Sequence, residues 1–125
     1  MHVSKLAPDE AVYLDADRLE EICNRLGYRG GEAAICAAME DLAALLSSAV
    51  KLWRAGDPDA LGLTAAQIEG VSERIGMCGL ARVAGDVAEL AARLDNAALA
   101  ATVARLRRLG EQSLLAIWDR QDLTI

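Results

Sequence analysis

The side chains that most often perform catalysis are sparse in this chain. His2 is the only histidine among 125 residues, so neither a metal site nor an imidazole base has partner ligands at a suitable spacing. Ser47 and Ser48 have no histidine to activate them as nucleophiles. The glycine pair Gly30–Gly31 does not match the phosphate-binding pattern GxxxxGK[ST], which the chain lacks. We therefore expect no enzymatic activity, no cofactor and no bound metal.

The cysteines and charged side chains also have structural explanations. Cys23, Cys36 and Cys78 are odd in number and contain no CxxC pair, which favours reduced thiols half-buried in a core over a disulfide framework or a zinc site. Two sets of charges are interpreted as solvated helix surface: the carboxylates Glu20, Glu21, Glu40 and Asp41, and the basic patch Arg105, Arg107 and Arg108.

Composition limits the partners and the compartment. The net charge of −6 disfavours nucleic acid, because phosphates would be repelled. No run approaches the roughly 18 uninterrupted apolar residues of a membrane span, and the start MHVSKLAPDE lacks the apolar centre of a signal peptide. We expect a cytoplasmic protein that binds neither membrane nor nucleic acid.

Alanine and the apolar periodicity together predict an all-α protein. The chain has 25 alanines and 3% aromatic residues, and alanine is the best helix former. Residues 1–14 show no periodicity and are predicted to be an arm, and residues 15–125 a single domain. A short helix is expected from an N-cap at Asp17 to Gly27, followed by a turn at Gly30–Gly31. Four helices should follow, over 32–55, 58–75, 80–94 and about 97–120.

These last four helices each have an apolar stripe that cannot be buried alone, and their connections are short. They are therefore expected to form an antiparallel four-helix bundle, with the short first helix lying across it. The predicted shared core consists of Leu42, Leu45, Ile68, Ile75, Val83, Val87, Leu90, Val103, Leu106 and Ile117.

The glycines of the third predicted helix suggest a family. The segment AAQIEGVSERIG places Gly70 near the helix centre and Gly76 at its end, although a central glycine costs about 1 kcal/mol relative to alanine. These two glycines align without a gap with the pattern HxxKGxxxxxG. Gly56 and Asp57 align with the Gly-Asp frequent at the preceding turn. From about Gly31 to Arg120 the chain thus resembles the histidine phosphotransfer (HPt) domain, a four-helix bundle that relays phosphate between receiver domains.

The resemblance implies a domain that has lost its chemistry. Ala66 occupies the position of the phospho-accepting histidine, and Glu69 the position of the basic residue that steadies the phosphate. A methyl group cannot accept a phosphoryl group, and a carboxylate would repel one. The resemblance implies binding to a receiver domain or a histidine kinase, as a competitor or scaffold, through Ala66, Glu69, Gly70 and Glu73.

Two explanations of the central glycine remain open. Gly70 keeps room for a docking partner, or else it is a relic or packs against a neighbouring helix. The alternative function is that of a structural or self-associating bundle with no signalling role, in which Trp53 or Trp118 would be buried across a symmetric contact. The oligomeric state is not predicted.

Overall fold

The computed structural model of the chain describes the backbone of residues 14–123 and the side chains up to residue 119. Four helices account for almost all of this part: α1 (Ala16–Ala55), α2 (Pro58–Arg74), α3 (Cys78–Arg93) and α4 (Asn96–Leu123). No strand occurs within residues 14–123, where only an isolated bridge joins Leu14 to Met77. The all-α prediction is confirmed.

The predicted turn at Gly30–Gly31 is wrong. Helix α1 is interrupted at Gly27, whose φ of 78° lies outside the helical region, and it is helical again from there to Ala55. Gly31 is buried instead. It lies so close to Cys23 that a Cβ atom added to Gly31 would be 2.6 Å from Cα of Cys23. The absent side chain lets the segment before Gly27 approach the rest of α1 closely.

The start of α1 also differs from the prediction. The N-cap is Asp15, whose side chain accepts a hydrogen bond from the backbone N–H of Arg18, and the expected cap Asp17 lies inside the first turn. The backbone N–H of Asp15 donates to the carbonyl of Gly76 at 2.7 Å. This bond fixes Asp15 at the α2–α3 turn. Residues 1–13 of the predicted arm, including His2, lie outside the described residues.

The other helix ends follow the sequence signals. Gly56 ends α1 in the left-handed conformation, and the Asp57 side chain accepts from the backbone N–H of Ala60 at the start of α2, where Pro58 is the first residue. Proline has no backbone N–H, but at the first position of a helix that group would have no acceptor within the helix. Asp95 caps α4 in the same way by accepting from the N–H of Ala98.

The helices pack in a ring of pairs. Helix α2 contacts α1 and α3, and helix α4 contacts α3 and α1, whereas within residues 14–123 neither α1 and α3 nor α2 and α4 have close backbone contact. One hydrophobic core lies between the four helices. Of the ten predicted core residues, eight are buried; Leu45 and Leu90 are partly buried against the core.

Helix α1 is long and apolar enough to pass a composition test for a membrane span, since one 18-residue window has a mean hydropathy of 1.6. A core helix of a soluble protein passes the same test. Of the residues in that window 22% are buried, and Leu42 and Ala49 of α1 are completely buried between helices.

Candidate functional site

The four residues predicted to bind a partner lie on the outer side of α2. Ala66 and Glu73 are exposed, and Glu69 and Gly70 are half-buried. Residues three and four apart on a helix are neighbours, so the four follow one another along this side. The buried side of the same helix carries Leu61, Ala65, Ile68, Ser72 and Ile75, which is the predicted inward stripe.

Gly70 stands in open space. A Cβ atom added there would have no neighbouring heavy atom within 4 Å, and its φ is not in the left-handed region. Neither backbone conformation nor close packing therefore requires glycine at this position. Packing against a neighbouring helix, which the sequence left open, does not fit this geometry, whereas a docking partner and a relic both fit it.

The side of α2 that carries Gly70 continues into a shallow groove toward α1. Seven residues line it: Asp41, Ala44 and Leu45 of α1, and Gln67, Gly70, Val71 and Arg74 of α2. The groove thus presents a carboxylate on one wall and a guanidinium on the other. A surface of this kind offers small apolar contacts bordered by charge.

Glu69 lies at the opposite edge, against α3. One of its carboxylate oxygens is 2.6 Å from the point that a Cβ atom of Gly85 would occupy. The absence of a side chain at Gly85 therefore leaves the room that the Glu69 carboxylate fills. This arrangement holds one negative charge at the α2–α3 boundary, while Glu73 projects into solvent.

Leu63 is a surface residue that the sequence analysis missed. Its side chain is 72% exposed, the largest value among the exposed large hydrophobic residues of the described part. It precedes Ala66 by three residues and Gly70 by seven, so it lies on the same side of α2. A leucine outside the inward stripe was the signal that could have revealed it. We name Leu63, Ala66, Glu69, Gly70 and Glu73 the α2 strip.

A second unusual surface runs between α1 and α4. Its apolar half is lined by Cys36, Met39, Glu40, Ala43, Leu114, Leu115 and Trp118. Its basic half is lined by Ala43, Leu46, Ser47, Val50, Lys51, Arg54, Arg107, Glu111 and Leu114. Because Ala43 and Leu114 belong to both halves, they form one continuous surface, which we name the α1–α4 groove.

Two large apolar side chains of this groove are exposed to solvent. Leu115 is 62% and Trp118 is 56% exposed. Trp53, by contrast, is half-buried against the core. Exposed apolar side chains that adjoin one another often mark interaction sites, so the α1–α4 groove is a second candidate surface.

The chemically reactive residues are not assembled into a site. Cys23 and Cys36 are half-buried as expected, but Cys78 is exposed, because it is the first residue of α3 and lies outside that helix's apolar stripe. The carboxylates of Glu20, Glu21, Glu40 and Asp41 are at the surface. Within the described residues, no group of three or more His, Cys, Asp or Glu side chains is placed to hold a metal ion.

The basic patch of α4 is divided by the structure. Arg105 and Arg107 are exposed, whereas Arg108 is half-buried. Arg107 forms an ion pair with Glu111 at 3.5 Å, and only Arg107 of the three lines the α1–α4 groove.

Comparison with known proteins gives no relative: no protein-family model, no curated protein and no solved structure matches the chain.

Proposed function

We propose that this protein is a phosphotransfer-incompetent HPt-like domain of the cytoplasm that binds a receiver domain or a histidine kinase through the α2 strip. The observation that carries the proposal is the open space at Gly70. A glycine in mid-helix lowers helix stability, yet no neighbouring atom requires it. Room for a partner would give the missing side chain a physical use, and a relic without a use is the alternative.

The proposed architecture is an antiparallel four-helix bundle with the segment of α1 before Gly27 as an additional short helix. The ring of pairwise contacts supports it, since each helix contacts two neighbours and has no close backbone contact with the helix opposite among the described residues. The connections at Gly56–Asp57 and Leu94–Asp95 are only two residues long. Such short connections join antiparallel neighbours.

The partner would be bound without chemistry on this chain. The methyl group of Ala66 is exposed in the position where the resemblance expects the accepting histidine, and it has no nucleophilic atom. The protein then acts by occupancy: it competes for a receiver domain or holds it near another protein.

The charge of the strip limits the affinity of this binding. Glu69 and Glu73 border Ala66 and Gly70, and a family-like receiver presents an acidic phosphorylation pocket. Like charges brought together lower affinity. We therefore expect weaker binding than in a competent relative, or a pose shifted toward Leu63, where the strip is apolar.

The experiment that tests the proposal measures binding and phosphorylation together. Receiver domains and histidine kinases encoded by the same genome are purified and titrated with the chain, and the phosphorylated receivers are incubated with it. We expect at least one receiver or kinase to bind and the chain to remain unlabelled. Acid-labile phosphate on the wild-type chain would contradict the assignment of Ala66.

A double variant tests the position assigned to Ala66. Ala66→His with Glu69→Lys restores the histidine, at an exposed site, and the basic residue that the resemblance expects, at a half-buried one. A receiver that binds the strip in the family's pose should transfer its phosphoryl group to this variant. The single variant Glu69→Lys is the matched control and should stay unlabelled.

The alternative is a structural or self-associating bundle with no signalling role. It predicts that no receiver and no kinase binds the chain, and that substitutions in the α2 strip change nothing but stability.

A further inference from the structure

We infer that the α1–α4 groove is the interface of a symmetric homodimer, in which a second copy of this chain packs antiparallel on the first. This surface is separate from the α2 strip, so the inference goes beyond the proposed function and does not depend on it.

The groove has a charge gradient along its length. Among the described residues, its basic half is lined by Lys51, Arg54 and Arg107 together with Glu111, which pairs with Arg107, whereas Glu40 is the one charged residue lining its apolar half. Glu32 is exposed and lies one helical turn beyond Cys36, so it extends the acidic end of α1. Arg29, exposed three residues before Glu32, reduces this charge, so that one end of the surface is net basic and the other, with Glu32 and Glu40, net acidic.

The opposite charges are equally spaced about the middle of the groove. Ala43, which belongs to both halves, lies eleven residues from Glu32 and eleven from Arg54 in the sequence. At 1.5 Å per residue this is about 16 Å in each direction, and eleven residues are close to three full turns. Glu32, Ala43 and Arg54 therefore lie on one side of α1, with the small residue at the centre.

A two-fold axis perpendicular to α1 at Ala43 makes this surface complementary to itself. It reverses the direction of the second copy, so that Arg54 of one copy lies level with Glu32 of the other, and the pair occurs twice. A parallel arrangement would instead bring Arg54 to Arg54 and Glu32 to Glu32. The charge pattern selects a second antiparallel copy over a partner of uniform charge.

The apolar residues fit the same arrangement. Leu114 is level with Ala43, and Trp118 lies one turn further along α4 toward the acidic end. In the antiparallel copy that level is occupied by Ser47, a small side chain that also lines the groove. Trp118, 56% exposed in one copy, would thus be covered at a place where the partner has room, and buried tryptophans dominate many interfaces.

Sedimentation equilibrium of the full chain tests the dimer. At a concentration of about 100 µM, a dimer whose Kd is of that order or lower gives a weight-average mass of about one and a half to two chains, which we expect. Trp118→Glu should raise the dimer Kd at least about tenfold. The matched control is Leu63→Glu, which places the same charge on an exposed apolar site of α2 and should leave the Kd unchanged.

A charge exchange tests the antiparallel arrangement. Arg54→Glu and Glu32→Arg should each raise the Kd about tenfold, because each converts two attractive pairs into repulsive ones. The chain with both substitutions should dimerise about as tightly as the wild type. Circular dichroism of each variant verifies that the helices are intact.

A wild-type chain that stays monomeric at this concentration overturns the inference. So does a dimer that Trp118→Glu leaves unchanged, or a double variant as weak as the single ones. None of these outcomes bears on receiver binding, which is measured separately through the α2 strip.

Discussion

The α2–α3 pair and the α1–α4 pair of this molecule are packed in different ways. Of the four pairs of helices in contact, α2 and α3 share the most extensive backbone contact, and α1 and α4 the least extensive. At the α2–α3 interface, a Cβ atom added to Gly62 would lie 3.6 Å from the Cβ atom of Ala91, so the two backbones are close. Between α1 and α4, the side chain of Leu46 fills the space beside Gly110, at 2.6 Å from the point that a Cβ atom there would occupy, while Leu115 and Trp118 remain exposed.

The difference explains why the two surfaces suit different partners. Helix α2 is held closely on its inner side and exposes one large apolar side chain, Leu63, beside small or charged residues such as Ala66 and Glu73. Such a surface accepts a flat partner without rearranging. The α1–α4 groove instead offers aromatic and aliphatic side chains, which gain stability only when they are covered.

The largest expected effect on stability lies in the core at α2. Ile68 is completely buried, so Ile68→Ala should lower the free energy of unfolding by about 2–5 kcal/mol through lost transfer energy and a residual cavity. Leu63→Ala on the same helix should change it by less than about 0.5 kcal/mol. Urea denaturation of both variants measures the difference, and equal losses would mean that α2 is packed on both sides.

Substitution by alanine at two glycines of the same region should change the free energy of unfolding in opposite directions. Gly76 has a φ of 76°, and a Cβ atom there would lie 2.9 Å from the carbonyl oxygen of Asp15, so Gly76→Ala should destabilise by about 1–3 kcal/mol. Gly70→Ala should stabilise by about 0.4–1 kcal/mol, because it meets no atom and restricts the unfolded chain.

Thermal unfolding of the two glycine variants distinguishes docking from packing at Gly70. A destabilised Gly70→Ala would show that the glycine serves the fold, and the α2 strip would lose its main support.

The cap of α2 should have an intermediate effect. Asp57 accepts from the backbone N–H of Ala60 at 3.1 Å, and Asp57→Ala should cost about 1 kcal/mol, the usual value of an N-cap. Asp59→Ala, two residues later, removes only a favourable charge in the first turn and should cost about 0.3–1 kcal/mol. Chemical denaturation measures both, and a smaller loss at Asp57 than at Asp59 would contradict the cap.

The smallest effect is expected in the α1–α4 groove. Leu115→Ala, studied at a concentration too low for self-association, should change stability by less than about 0.5 kcal/mol, because the side chain is already exposed. A loss above about 1 kcal/mol would mean that the leucine is packed within the single chain, and the contrast between the two helix pairs would then disappear.

The sequence predicted the elements that depend on local chemistry. The types of neighbouring residues were enough to predict the end of α1 at Gly56, the start of α2 after Asp57 and the buried side of α2. The turn at Gly30–Gly31 was wrong because those glycines had been interpreted as turn residues. The burial of Gly31 depends on the approach of Cys23, a contact between two segments that local patterns do not contain. The cap of α1 is Asp15 and not the predicted Asp17. The backbone N–H of Asp15 also donates to the carbonyl of Gly76, a contact distant in sequence.

The candidate surfaces were less accessible to sequence reasoning. Ala66 and Gly70 were selected through the resemblance, whereas the open space around Gly70 required coordinates. Leu63 and the continuity of the α1–α4 groove were missed, because exposure and the meeting of two distant helices are tertiary properties. Trp118 was noted only as a residue that self-association would bury.

The central claim is tested most directly with a receiver domain or kinase that binds the wild-type chain. This partner is titrated with the Gly70→Arg variant, and its Kd is measured. Ala101→Arg is the control, because it adds the same side chain at an exposed site of α4. We predict that both variants fold, that Gly70→Arg raises the partner's Kd at least about tenfold, and that Ala101→Arg leaves it unchanged. Equal affinities of the wild type and both variants, or the absence of any receiver or kinase that binds the wild type, would contradict the α2 strip as a docking surface.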